Sequence, residues 1–127
     1  QSKEYGLMLI IGEDTAKDMD NDFVIIELDT IAVKGKTEPV KIYTSIGTYN
    51  ELNPTMNWHM AQQQHNKFLE FYRNRKWLMA KKWVDDLKNE FNGLMVGYYD
   101  MMQKRIERLE KEDLPDDWDG VYRATTK

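Results

Sequence analysis

"FVIIELDTIAVKGKTEPVKIYTSIG", residues 23–47, decides the fold. Residues 23–33 are rich in Val, Ile and Phe, side chains that suit a pleated, half-buried surface, and they read as a β-strand. From 40 to 46 the positions Val40, Ile42 and Ile46 fall on one alternate face, with Lys41, Tyr43 and Ser45 on the other, so a second strand follows with one face buried. Between them lies "KGKTEP". Gly35 offers a positive φ and Pro39 lacks a ladder donor, which makes an antiparallel hairpin the simple connection. Lysines at a hairpin tip ordinarily stay solvated and discourage edge-to-edge pairing, and pattern alone gives Lys34 and Lys36 that structural role.

Upstream, residues 5–11 form a short apolar run with a glycine at each end, read as a buried strand because a helix would need more length. One or two helical turns are expected over 13–19, and "DMDNDF" reads as a polar loop. The run begins with no preceding cap or turn, so the chain reads as a protein entered partway through. Downstream of "YNELNPT" the period changes. Asn53 before Pro54 is disfavoured as helix, while Pro54 suits a first helical turn. Ala61, His65, Phe68 and Tyr72 then share one helical stripe, and Trp77, Ala80, Val84, Leu87 and Phe91 a second, with "RNRK" at the break. Asn92 and Gly93 are stop residues, and Met95, Tyr98, Met102, Ile106 and Leu109 form a third stripe. The tail "PDDWDGVYRATTK" has too many turn formers for a helix, and its Trp118, Val121 and Tyr122 are expected to dock.

The fold class expected is therefore α+β: a β-hairpin and strand piece, then an α-helical hairpin and a third helix. The composition shift near Asn50 divides the chain into 1–49 and 50–127. Two or three strands with a short helix are marginal alone, so the first part is expected to need strands from elsewhere.

Across 127 residues the formal net charge is −4 at pH 7 with both signs interspersed, which gives no field for nucleic acid or an anionic membrane. There is no Cys, hence no disulfide and no thiolate metal site, in keeping with a reducing, cytoplasmic setting. No apolar run approaches the roughly 20 residues that span a bilayer, and no signal pattern opens the chain.

Asp18, Asp20 and Asp22 alternate like the first ligands of a calcium loop, but Phe23 stands where that loop needs Gly and Asp29 where it needs a bidentate Glu, so a solvated loop is expected. His59 and His65 are six residues apart and share no helical face as metal ligands; His65 reads as core. No nucleophile–base arrangement, phosphate loop or nucleotide fingerprint is visible. Met and Trp at helical spacing read as packing. Phe68, Phe71, Ala80 and Val84 give a loose match to one tetratricopeptide-like helix pair, too little for a stacked peptide-binding surface.

Taken whole, "ELDTIAVKGKTEPVKIYTSIG" closely resembles the C-terminal strands of class III adenylate/guanylate cyclase catalytic domains, with "VKGKTEPVKIY" the most specific phrase. "QSKEYGLMLIIGEDT" is similar to the segment after that family's last catalytic helix, and "FYRNRKWLMAKKWVDDL" with "PDDWDGVYRATTK" to the helical extension of many bacterial members. The resemblance implies a ferredoxin-like catalytic domain and conversion of ATP or GTP to the 3′,5′-cyclic nucleotide with release of pyrophosphate. It implies Mg²⁺ or Mn²⁺ as cofactor, a homodimeric site, and metal, ribose and base contacts on segments that precede this one.

By that resemblance one position carries over, Lys34, as the triphosphate-contacting lysine, with Gly35 supporting it at the hairpin tip. Catalytic and metal-binding residues are expected to be lacking in this chain, which alone should be inactive. Membrane attachment of a parent protein through other regions is left open. The rival expectation is a non-enzymatic module in which the helices bind a partner and the β piece is a docking segment.

Overall fold

A computed structural model describes residues 10–19, 22–32, 35, 37–48, 58–90 and 95–122. The chain order is β1 (Ile11–Gly12), α1 (Glu13–Asp18), β2 (Phe23–Ile31), β3 (Val40–Thr48), α2 (Trp58–Arg73), α3 (Trp77–Leu87) and α4 (Val96–Leu109). The three strands form an antiparallel sheet in the order β1-β3-β2. This is the expected α+β layout, with β3 two residues longer than its alternation suggests. Of the first strand expected over 5–11, only Ile11 belongs to a described strand; residues 1–9, like Val33, Pro54, Phe91, Asn92 and Gly93, lie outside the described residues.

A register shift in β2 between Glu27 and Asp29 organises the core. Glu27 pairs with Tyr43 and Asp29 with Ile42, so Leu28 is the extra residue of a bulge. An extra residue inverts the alternation downstream of it. Val24, Ile26 and Leu28 point inward, and so then do Asp29 and Ile31. The bulge thus turns an aspartate into the core.

The helices cover that inner face. Every residue of the first expected stripe, Ala61, His65, Phe68 and Tyr72, is buried, as are Ala80, Val84 and Leu87 of the second and the whole third stripe from Met95 to Leu109. One cluster of buried side chains joins β2, β3 and the three long helices. Lys81 of α3 and Lys88 just past its end pair with Glu110 beyond α4 and Asp100 within it, at 2.6 and 2.8 Å, so α3 and α4 run antiparallel.

The "RNRK" break ends α2 in a Schellman motif. The amide of Lys76 bonds the Phe71 carbonyl and that of Arg75 the Tyr72 carbonyl, with Arg75 left-handed at φ 60°. Glycine usually takes that position, and a side chain there costs about 1–2 kcal/mol. Arg75 has a compensating contact: its guanidinium donates to the carbonyls of Pro115 and Asp116, at 3.0 and 3.4 Å.

The tail docks as its aromatic content suggests. Trp118 packs edge-on against Tyr72 and lies beside Trp77. Asp119 accepts from the Val121 amide at 3.1 Å, and Gly120 takes φ 77°, where a Cβ would meet Arg73 at 2.9 Å. The chain then pairs in parallel with β2, the Tyr122 amide bonding the Thr30 carbonyl and the Ala32 amide the Tyr122 carbonyl.

Asp29 meets Arg105 of α4 at 2.6 Å, both side chains almost fully buried. Such a pair is costly to desolvate and far costlier to break. Asp29→Ala is therefore expected to lower unfolding free energy by about 3–5 kcal/mol, whereas replacing both partners with apolar residues of similar volume recovers most of the loss. Urea denaturation of the two variants checks this.

Candidate functional site

The β2–β3 hairpin presents Gly35 at its tip, exposed and left-handed at φ 87°, with open space where a side chain would stand. The positive φ anticipated at this glycine is present. Lys34 and Lys36 lie outside the described residues, so the hairpin strands and Gly35 are what can be placed. Beside the hairpin an open hollow of about 380 Å³ is lined by Glu13, Asp14 and Thr15 of α1 together with Pro39, Val40 and Lys41. Its charges are mixed, two carboxylates against one ammonium among the described residues that line it.

No group of three or more His, Cys, Asp or Glu side chains suited to a metal ion occurs among the described residues. Asp18 ends α1 and Asp22 is exposed in a turn, while Asp20 lies outside the description. The described residues therefore offer no set that fits a two-metal centre.

The hairpin is braced from behind by polar contacts along the edge of β2 that faces away from β3. Gln62 of α2 donates to the Ile25 carbonyl at 2.9 Å, His65 bonds the Glu27 carbonyl, and Tyr98 of α4 donates to the Leu28 carbonyl at 2.6 Å. Arg73 bonds both the Glu27 carboxylate at 2.8 Å and the Thr30 hydroxyl at 3.0 Å. Residues 62–73 of a helix and 25–30 of a strand each advance about 16 Å, which is why one helix follows the strand contact for contact. The bulge is visible here as well: Glu27 and Leu28, neighbours in sequence, both present carbonyls to the helices.

Beneath the hairpin end sits the Asp29–Arg105 pair. Tyr72 lies 3.4 Å from the guanidinium, and the Tyr122 ring covers it with the ring centroid 3.6 Å from Cζ. Burial works against the Arg105 charge, but Asp29 and Tyr72 outweigh it and hold its pKa above the ordinary value. Burial also raises the Tyr72 and Tyr98 hydroxyls, which remain neutral donors or acceptors. Sequence reasoning did not find this cluster. Its one local signal is an aspartate inside an otherwise apolar strand, and its partner is 76 positions away.

His65 is the core histidine expected from its stripe. A carbonyl only accepts, so Nε2 carries the proton toward Glu27, and Nδ1 accepts from the Tyr99 hydroxyl at 2.7 Å. Burial lowers its pKa from 6.5 to about 4. His59, by contrast, is exposed, and although both histidines line one open hollow, they belong to no group of three or more metal-suited side chains among the described residues.

Comparison with family models, with curated proteins and with solved structures returned no match.

The His65 geometry predicts a pH dependence. The folded state holds the neutral ring, so the contribution is complete above pH 6.5 and is lost as pH falls from 6.5 toward 4, by up to ~3 kcal/mol. Denaturant midpoints measured across that window are expected to fall with pH in the unaltered chain. In His65→Gln, less stable at neutral pH, the dependence is expected to be flatter.

Proposed function

We propose that this chain is the triphosphate-binding hairpin and helical extension of a class III nucleotide cyclase, an enzyme that closes ATP or GTP to the 3′,5′-cyclic nucleotide and releases pyrophosphate. The observation that carries the reading is the phrase "VKGKTEPVKIY" falling on an antiparallel hairpin whose glycine is left-handed at the tip. The ladder between β2 and β3, which closes at Ile31 and Val40, limits the positions open to the tip, and Gly35 leaves space for close approach. The assigned role of Lys34 is to place an ammonium charge where negative charge accumulates on the departing pyrophosphate.

The reading assigns this chain binding and charge stabilisation, and nothing more. Mg²⁺ or Mn²⁺, the groups that bind it, and the contacts that choose between adenine and guanine belong, on this proposal, to other segments of the catalytic domain. A homodimer through that domain and a cytoplasmic site of action belong to the same proposal. No helix among the described residues is long and apolar enough to cross a membrane, which is compatible with it.

A second reading, a non-enzymatic interaction module, is favoured by one observation: Leu78 and Met79 at the start of α3 are 78% and 40% exposed. Isolated exposed apolar residues are common, which leaves it the weaker of the two.

Two measurements test the cyclase reading. The purified chain with ATP or GTP and Mn²⁺ is expected to form no cyclic nucleotide, and robust product would overturn its assignment as a binding segment alone. In a cyclase containing this segment, Lys34→Ala is expected to lower kcat/KM roughly 100-fold with an unchanged melting temperature. An unchanged kcat/KM refutes the triphosphate role and leaves the interaction module as the better account.

A further inference from the structure

The tail is held at several points along the helices, and the last of them lies on one end of β2. Arg75, itself in an unfavourable left-handed conformation, reaches the carbonyls of Pro115 and Asp116. Trp118 is set among Tyr72 and Trp77. Gly120 lies against Arg73, the side chain that also ties α2 to Glu27 and Thr30. Tyr122 then bonds β2 through both its amide and its carbonyl, while its ring covers Arg105, the partner of Asp29.

The Tyr122 contacts reach β2 where it leaves the sheet. Thr30 and Ala32 face the tail, while Ile31 between them pairs with Val40 of β3. The tail and β3 therefore hold the same short piece of backbone from opposite sides. Asp29 lies one residue further in, and its charge is balanced by an arginine whose exposed side is covered by the tail's own tyrosine. Lifting Tyr122 removes two backbone bonds from the strand end and at the same time opens the ion pair beneath it to water.

We infer that residues 118–122 act as a strap: their docking on β2 sets the rigidity of the hairpin end of the sheet, so that strap and hairpin base open together as one local unit. Such a unit couples the C-terminal extension to the hairpin through backbone bonds and a buried charge. The basis is a cooperative opening smaller than global unfolding, of the kind that amide exchange resolves. The inference holds for the protein without nucleotide and is independent of the cyclase reading.

Residue-resolved hydrogen exchange tests it on the full chain, with no nucleotide present. In Tyr122→Ala the Ala32 amide, bonded to Tyr122, is expected to exchange at least roughly tenfold faster, with Ile31 and Val40 accelerating alongside it while Ala80 and Val84 in α3 stay within about twofold. Gly120→Ala displaces the tail at Arg73 without touching the ring over Arg105, and is expected to give the same pattern. Three results overturn the inference: an unchanged Ala32 rate; faster Ala32 with unaltered Ile31 and Val40, which makes the tail a passive cover; and equal acceleration in α3, which makes the effect a general loss of stability.

Discussion

A strand at the edge of a sheet carries carbonyls and amides that must find partners once buried, and the fold is arranged around meeting that requirement on β2. Its carbonyls at Ile25, Glu27, Leu28 and Thr30 are met in turn by Gln62, His65, Tyr98 and the backbone of Tyr122. These partners come from two helices and the tail. The sheet, the helices and the end of the chain are therefore parts of one polar closure over a common apolar core. The bulge at Leu28 is central to it, because by inverting the alternation it presents two successive carbonyls to the helices and sends Asp29 inward to Arg105.

The helical half was legible because its information is local. Apolar residues three and four apart identify the buried stripe whatever that stripe packs against, and Ala61, Phe68, Tyr98, Met102 and Ile106 were identifiable on spacing alone. The hairpin was legible for the same reason, from alternation and from Gly35. The bulge was not, since Val24, Ile26 and Leu28 continue an unbroken alternation and nothing nearby shows that Asp29 also turns inward. A buried charge is explained by its partner, and no reading of neighbours links position 29 to position 105. The docking of Trp118 and Tyr122 was foreseeable as a tendency, while the place of docking depended on an edge whose exposure only the assembled sheet defines.

The phrase around Lys34 carries a specific resemblance, while the described geometry supplies the hairpin, the glycine and the bracing behind them. The polar clusters in the core, His65 with Tyr99 and Asp29 with Arg105, act on the fold. They are enclosed and committed to partners within the chain, as groups that position a strand should be.

The order β1-β3-β2 has a further consequence. Helical side chains and the tail occupy the outer edge of β2, so another strand could join there only by displacing them, and the cost of doing so includes the Tyr122 backbone bonds. β1 is a two-residue strand on the opposite side. Among the described residues the helical side therefore behaves as a terminus of the sheet, because the carbonyls a further strand would use on β2 are already engaged.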